Sequence, residues 1–214
     1  MIGDKLVIKE NHYRAAEQIV KRLLSDIKKS KSRYTISIAG ESGSGKSETA
    51  LALLEKLDDQ GIRTVILQQD DYFIYPPLTN HRTRLSNLDW VGMQEVKLEL
   101  LDSHLLQAIK GIEKIEKPLV IYQKDLISQE ILSLKNMKVV IAEGTYTTSL
   151  NNLHTRTFID LTYKETKKSR LERAREEQDD FLERVLIIEH EIISAHKLNA
   201  DIIINPDFTI TSRW

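Results

Sequence analysis

Three of the chain's eight glycines lie within six positions, in the segment Gly40-Glu41-Ser42-Gly43-Ser44-Gly45-Lys46-Ser47. Glycines let backbone N–H groups close around phosphate oxygens, because they adopt backbone conformations that other residues avoid. In the spacing G-x-x-x-x-G-K-[ST], Lys46 reaches the β- and γ-phosphates of a nucleoside triphosphate and the Ser47 hydroxyl ligates Mg²⁺. The segment and the next residue, Glu48, therefore predict a phosphate-binding loop. The alternative is a glycine turn that only caps a helix.

Carboxylates follow two apolar runs further along the chain. Asp70 and Asp71 come after Thr64 to Leu67, and Glu143 comes directly after Val139 to Ala142. Ligands of open α/β sheets bind at the carboxyl ends of strands. There, Asp70 or Asp71 would accept the proton of an attacking hydroxyl, and Glu143 would hold Mg²⁺. The alternatives are a turn or helix cap for the aspartates and an ordinary loop start for Glu143.

A densely charged segment lies between Lys164 and Arg184, where seven basic residues accompany seven acidic ones. The balance of charge is typical of a solvated helix. The functional alternative is a lid, at about residues 164–180, whose arginines neutralise charge on the transferred phosphoryl group. Arg170 and Arg173 share a helix face and are the favoured phosphate contacts, whereas Arg175 lies about 140° away from Arg170 around the helix.

The elements that position these residues alternate along the chain. Helical spacing is found at Ala15 to Ile27, Lys46 to Leu57, Glu95 to Ile109, Thr166 to Glu177 and Asp180 to His196. Buried strands are predicted at Tyr34 to Ala39, Thr64 to Leu67, Leu119 to Tyr122, Val139 to Ala142, Phe158 to Leu161 and Asp201 to Ile204. Strands alternating with helices predict an α/β fold with a parallel sheet flanked by helices. The segment Asp70 to Gly92 has no clear period, and loops of that length are usually functional.

Composition narrows the class of protein. A chain of 214 residues with 41% apolar residues fits one domain over 1–214, with residues 1–32 as an N-terminal helical extension. The 31 basic and 32 acidic residues nearly cancel, which favours neither nucleic acid nor a membrane as partner. There is no cysteine and no apolar run long enough to span a bilayer, so we expect a cytoplasmic protein. Whether it forms a homo-oligomer is left open.

The motifs GESGSGKS, QQDDYF and IAEGTY and the arginine-bearing helix stand in one order, followed by Ala200 to Ile204. In this the chain resembles the uridine kinase and phosphoribulokinase family of P-loop kinases, from about Tyr34 to Asn205. The resemblance implies a P-loop NTPase fold with an arginine-bearing helical lid. It also implies ATP and Mg²⁺ as cofactors and a small-molecule hydroxyl acceptor as partner.

The resemblance also assigns roles to single residues. It makes Asp70 the catalytic base in preference to Asp71, because QQDDYF is similar to the family motif Q-D-[SD]-[FY]-[FY]. Glu143 matches the family's metal-associated glutamate, and Asp89 resembles a ribose-binding aspartate. The lid arginines match less closely. Further substrate contacts are then expected at Tyr72, Tyr122 and Arg175.

Departures from the family pattern leave the acceptor open. Trp90-Val91 stands where uridine kinases usually have His-Pro, and the base-reading histidine has no counterpart. Tyr122 either stacks on a ring or belongs to the core. His81, Arg82 and Arg84 either bind an anionic substrate or face water, and exposure to water is favoured for these three. From the resemblance as a whole we expect a uridine kinase-like enzyme that phosphorylates a hydroxyl group. The alternatives are a kinase for nicotinamide riboside, pantothenate, glycerate or a sugar, and a regulatory ATPase without a small acceptor.

Overall fold

The described residues of the computed structural model, 6–173 and 179–213, form six α-helices and eight β-strands. The helices are α1 (Glu10–Lys29), α2 (Lys46–Asp58), α3 (Pro77–Ser86), α4 (Leu98–Ile109), α5 (Lys167–Arg173) and α6 (Asp180–His196). The strands are β1 (Tyr34–Gly40), β2 (Thr64–Gln68), β3 (Lys114–Ile121), β4 (Leu126–Ser133), β5 (Val139–Glu143), β6 (Thr155–Ile159), β7 (Ile202–Ile204) and β8 (Ile210–Ser212). None of the described helices is long and apolar enough to cross a membrane.

Six of the strands form a sheet in the order β2-β5-β1-β6-β7-β8. The first five are parallel, and β8 pairs antiparallel with β7 at the edge. β1 and β5 are buried at every position, as expected for central strands covered on both faces. Because β1, β2 and β5 are neighbours, the residues that follow them meet at one edge of the sheet. The predicted α/β architecture, with a mostly parallel sheet flanked by helices, is confirmed.

The two faces of the sheet carry separate hydrophobic cores. On one face, α1 and α2 pack against the strands with alternate residues such as Ile36, Ile38 and Ile141. On the other face, Ala39, Val140 and other alternate residues contact α4 and the end of α6. Because successive strand residues point to opposite faces, each strand contributes to both cores. The two helical layers thereby hold the carboxyl ends of the strands in place between them.

The prediction for Leu119 to Tyr122 was wrong in one respect. Leu119 to Ile121 form the end of β3, and Tyr122 begins the turn that follows. β3 pairs antiparallel with β4 in a separate hairpin instead of joining the parallel sheet. The turn contains no glycine, because Asp125 itself adopts the left-handed conformation at φ 45°. An aspartate tolerates this conformation better than most residues do. Without a glycine signal, the short apolar run was not distinguishable from a buried parallel strand.

The segment Asp70 to Gly92 is also more ordered than the sequence predicts, since it contains α3. Asn80 is the buried residue of this helix, so there is no apolar period to detect. α3 begins at Pro77, and the proline ring suits the first turn of a helix. The helix lies over the carboxyl edge of the sheet, where it contributes residues to the site described below.

Four histidines with lowered pKa values predict that the fold loses stability in mild acid. Burial lowers the pKa of His12, His104, His154 and His196 from 6.5, because desolvation disfavours the charged imidazole. The unfolded chain therefore binds more protons below about pH 6.5 than the folded chain does. The free energy of unfolding should be largest above that pH and should fall as the pH decreases through it. Urea unfolding between about pH 8 and pH 5 measures this slope.

A substitution at His12 tests whether this histidine contributes to the pH dependence of the free energy of unfolding. Its Nδ1 accepts a hydrogen bond of 3.0 Å from the backbone N–H of Lys9, which an asparagine side chain can replace without titrating. His12→Asn should therefore flatten the dependence on pH, whereas His81→Asn, at an exposed position, should not. Equal slopes in the two variants would contradict the assignment.

Candidate active site

The glycine-rich loop joins β1 to α2 at the carboxyl edge of the sheet. Gly43 and Gly45 adopt positive φ angles of 76° and 88°. A Cβ atom at Gly43 would lie 2.7 Å from Cγ of Arg170, so the loop also requires glycine for space. The loop thus has the strand–loop–helix geometry in which backbone N–H groups and a helix N-terminus bind phosphate.

Two side chains of the first turn of α2 face the same cavity. Lys46 Nζ donates a hydrogen bond of 2.9 Å to the carbonyl of Glu41. Ser47 Oγ donates one of 3.1 Å to Glu143 Oε1, across the neighbouring strands β1 and β5. A hydroxyl and a carboxylate are ligands that Mg²⁺ accepts together with substrate phosphates. Within 6–173 and 179–213, no group of three or more His, Asp or Glu side chains is placed to hold a metal alone. The residues present therefore fit Mg²⁺ bound jointly with phosphates.

Asp70 and Asp71 follow β2 but face different surroundings. Asp71 is 2% exposed, accepts a 2.7 Å hydrogen bond from Lys117 Nζ, and accepts another of 3.0 Å from the backbone N–H of Val120. Asp70 is half-buried and lines the same cavity as Lys46. Asp71 anchors the turn to β3, and the adjacent Asp70 is thereby held toward the cavity.

The cavity has a volume of about 370 Å³, within the range of small-molecule sites. At one end it is lined by the phosphate-binding loop, Lys46 and Ser47, with Glu143 beside them. The other end has aromatic and aliphatic walls from the β2–α4 connection, the hairpin turn and α6. The aromatic lining residues are Phe73, Tyr75, Tyr122 and Phe181. Asp70 lies among the lining residues of this single cavity, so a ligand at the aromatic end and a bound triphosphate would share it.

α3 is held over the aromatic end by the hairpin. Asp125 Oδ1 accepts a 2.7 Å hydrogen bond from the N–H of Leu78, and its Oδ2 accepts one of 2.8 Å from the Thr79 hydroxyl. These bonds satisfy N–H groups at the start of α3, as a helix cap does. Trp90 Nε1 donates a 2.9 Å bond to Asn80 Oδ1 from the other side. The left-handed turn at Asp125 therefore positions one wall of the cavity.

Arg84 on α3 belongs to a buried ion cluster. Its Nε and one terminal nitrogen donate hydrogen bonds of 2.6 and 2.5 Å to the two oxygens of Glu95, and that nitrogen also contacts Glu189 Oε1 at 3.0 Å. The Glu95 side chain is fully buried, while those of Arg84 and Glu189 are 14% and 13% exposed. The preference for a solvated Arg84 was therefore wrong, because its carboxylate partners are distant in sequence.

Glu41 ties the phosphate-binding loop to α6. Its Oε2 accepts a hydrogen bond of 2.6 Å from the N–H of Tyr163, and its Oε1 lies 2.6 Å from His190 Nδ1. The rings of Tyr163 and His190 are 5.5 Å apart. Because α6 also contributes Phe181 to the aromatic wall, one helix contacts both the phosphate-binding loop and that wall.

Arg170 packs against the phosphate-binding loop and is not among the lining residues of the cavity, so its role as a phosphate contact stays a prediction. It is 8% exposed and donates hydrogen bonds to the carbonyl of Tyr163 and, at 2.7 Å, to Thr166 Oγ1. Thr166 in turn donates a 2.7 Å bond to the carbonyl of Ser42. Arg170 thus supports the loop. Arg175 and the side chain of Arg173 lie outside the described residues, so the lid stays a prediction.

The remaining predicted contacts fall into two groups, those that line the cavity and those that do not. Tyr122 lines the cavity. Tyr72 does not: it is fully buried in the core, and its hydroxyl shares a 2.9 Å hydrogen bond with His104 Nδ1. Its substrate contact stays a prediction. Asp89 is exposed and is not among the lining residues. Glu48 is buried in the first turn of α2, close enough to His12 to act on its charge.

Some lining residues were not predicted. Phe181, Leu182, Val185 and Leu186 appear in the sequence only as an apolar helical stripe, which the core explains equally well. Phe73 and Tyr75 lie in the segment without a period. The one usable signal was the aromatic content of residues 72–90, beside the carboxylates that follow β2.

Comparisons of this chain with known proteins agree on one family. The sequence profile described as "Phosphoribulokinase / Uridine kinase family" matches residues 35–211. The bifunctional alpha-galactosidase/sucrose kinase AgaSK of Mediterraneibacter gnavus is 26% identical over 192 residues, which are 83% of this chain and 20% of that protein. A uridine kinase of Ureaplasma urealyticum serovar 10 is 31% identical over 117 residues, covering 54% of this chain and 55% of that protein.

The chain thus spans a fifth of the first of these relatives and about half of the second. A solved structure with the same fold is the D-glycerate 3-kinase from Cryptococcus neoformans var. grubii serotype A. Its TM-score is 0.63 at 13% identity, over 95% of this chain and 99% of that one. The three proteins are named for three different acceptors, so the likeness alone does not select one.

Proposed function

The chain belongs to the phosphoribulokinase and uridine kinase family, and from that premise we propose that it transfers the γ-phosphoryl group of ATP to a hydroxyl of a small metabolite. A nucleoside such as uridine is the nearest named acceptor. One observation carries the proposal: Lys46, Ser47, Glu143 and Asp70 line one cavity of about 370 Å³ whose other end is aromatic. A cavity that joins a phosphate-binding loop to a second compartment suits transfer to an acceptor better than hydrolysis by water.

The proposed roles follow from the positions of the side chains. The backbone from Gly40 to Ser47 binds the phosphates, and Lys46 exchanges its bond to the Glu41 carbonyl for phosphate oxygens. Ser47 and Glu143 hold Mg²⁺, which supplies charge neutralisation when it is bound. Asp70 accepts the proton of the acceptor hydroxyl and orients its oxygen toward the γ-phosphate.

The acceptor is proposed to lie between α3, the hairpin turn and α6. Phe73, Tyr122 and Phe181 offer flat apolar surfaces, on which a ring can stack. The relatives named as uridine kinase and sucrose kinase point to polyhydroxylated compounds, one with a base and one without. Residues 164–180 remain our proposal for the lid, with Arg173 and Arg175 as its phosphate contacts.

The test is ADP release from the purified protein with Mg-ATP and one acceptor at a time, corrected for release without acceptor. The panel contains uridine and other nucleosides, nicotinamide riboside, pantothenate, glycerate and sugars. We expect at least one acceptor to raise the rate by about tenfold or more, since positioning an acceptor hydroxyl outcompetes water. Mass spectrometry should then detect the monophosphate of that acceptor.

A binding measurement separates the remaining outcomes. If ATP binds but no acceptor in the panel raises the rate of ADP release, the kinase proposal is contradicted for these compounds. The hypothesis of a regulatory ATPase then gains support. If ATP does not bind at all, the nucleotide assignment of the loop is itself contradicted.

A further inference from the structure

α3 forms part of the aromatic end of the cavity but has little apolar burial to hold it there. Its lining residues are Pro77, Leu78, Asn80, His81 and Arg84. Asn80 is the buried residue of the helix, and Leu78 is 52% exposed. A short helix with few buried apolar contacts moves easily unless polar bonds fix its position. The place of this wall therefore depends on the groups that bond to α3.

Asp125 in the hairpin turn bonds to the first turn of α3. Its Oδ1 accepts a hydrogen bond of 2.7 Å from the N–H of Leu78, and its Oδ2 accepts one of 2.8 Å from the Thr79 hydroxyl. Oδ1 also lies 3.4 Å from the N–H of Thr79. Such bonds from a carboxylate are charge-assisted, and the negative charge suits the positive end of the helix dipole. Asp125 is thus placed to fix the end of α3 at which Leu78 lines the cavity.

The same turn carries an aromatic residue of the cavity. Tyr122 lines the cavity and begins the turn, and its carbonyl accepts a 3.2 Å hydrogen bond from the N–H of Asp125. Asp125 therefore bonds to Tyr122 through its backbone and to α3 through its side chain. Asp125 is not itself a lining residue, yet it connects two walls of the cavity.

We infer that Asp125 is a positioning residue for the acceptor: it holds α3 and the hairpin turn at the separation at which both contact the acceptor. The inference rests on the proposed phosphotransfer and names a residue that sets the affinity for its acceptor. Without the carboxylate, α3 populates positions in which its lining residues and Tyr122 no longer meet one acceptor together. The apparent affinity then falls with the fraction of molecules that keep the competent arrangement.

Asp125→Gly tests the inference, because glycine keeps the left-handed turn and removes the carboxylate. With the best acceptor of the panel, the KM for the acceptor should rise about fivefold, the size expected when a typical helix cap is lost. The values of kcat and of KM for ATP should change by less than about twofold, since a loss of acceptor binding alone leaves the chemical step intact. Asp125→Asn keeps an oxygen for the N–H of Leu78 and should restore most of the affinity.

Two further variants separate positioning from a general loss of stability. Asn136→Gly truncates another residue in the left-handed conformation, at φ 61°, and should leave the acceptor KM unchanged because Asn136 is exposed and does not line the cavity. Thr79→Val removes the hydroxyl that bonds to Asp125, and Thr79 is not a lining residue either. Thr79→Val should raise the acceptor KM on its own but add nothing to Asp125→Gly, because both changes break the same contact.

Hydrogen–deuterium exchange gives a readout that needs no acceptor. Peptides that cover α3 should exchange faster in Asp125→Gly than in the wild-type protein or in Asn136→Gly. Unchanged exchange in α3, or an acceptor KM that does not rise, would overturn the role of Asp125. An equal rise in the KM for ATP would overturn it too, since that result indicates a general loss of stability. If exchange in α3 increases but no acceptor raises ADP release, the proposed function has failed and the acceptor role of Asp125 fails with it, while its contact with α3 stands.

Discussion

Asp70→Asn should reduce kcat by at least about 100-fold, the loss typical of a general base, while ATP binding changes by less than about threefold. Asparagine has nearly the same shape as aspartate but cannot accept the proton of the acceptor hydroxyl. Lys46 and Ser47, the proposed ATP-binding residues, are on a different element, α2, and are left in place. Steady-state kinetics with the best acceptor, together with calorimetric titration of ATP, measures both quantities.

A matched control keeps this result specific. Asp58→Asn makes the same chemical change at an exposed position near the end of α2 and should leave kcat within about twofold, as surface substitutions usually do. An unchanged kcat in Asp70→Asn would remove the residue from the catalytic role. A parallel loss of ATP binding would assign it to the nucleotide instead.

Asp71→Asn should instead reduce stability, by about 3 kcal/mol, because it leaves the charge of Lys117 buried with one partner fewer. Lys117 is 3% exposed, and its Nζ lies 2.7 Å from Asp71 Oδ2. Glu130, at 2.8 Å, is 35% exposed and keeps part of the compensation, which is why the lower end of the range for buried pairs is expected. Urea unfolding at neutral pH measures the change.

A second variant tests the cause. Adding Lys117→Met to Asp71→Asn removes the stranded charge and should recover a substantial part of the loss, since buried pairs can often be replaced by apolar side chains. A single-variant loss below about 1 kcal/mol would mean that the pair behaves as an exposed one. The two neighbouring aspartates are thus expected to differ in kind: one change slows the reaction, and the other weakens the fold.

The difference between Asp70 and Asp71 also shows which parts of the site can be predicted from the sequence. The phosphate-binding loop was predictable because its strand, glycines, lysine and helix are contiguous between Tyr34 and Asp58. The sequence pattern left the two aspartates equivalent, and only the family resemblance separated them. The structure supplies the physical reason, which is the contact of Asp71 with Lys117, 46 positions away.

The unpredicted parts of the site depend on contacts between distant segments. α3 buries one residue, so it has no apolar period that would predict a helix. The group that caps its start is Asp125 from the hairpin, so the sequence of α3 itself contains no capping signal. Arg84 has one partner 11 residues away and another 105 residues away. Pairings of this kind leave no periodic signal, because each partner alone has the composition of a solvated surface.

The bond between Glu41 and His190 has a consequence for how the two substrates bind. Glu41 is part of the phosphate-binding loop, and His190 is on the helix that carries Phe181 and Glu189. If occupancy of one end shifts this helix, the affinity at the other end changes with it. Such coupling is reciprocal: ATP alters the affinity for the acceptor by the same factor by which the acceptor alters the affinity for ATP. The Glu41–His190 contact therefore gives the proposed kinase a route to cooperativity between unlike ligands within one chain.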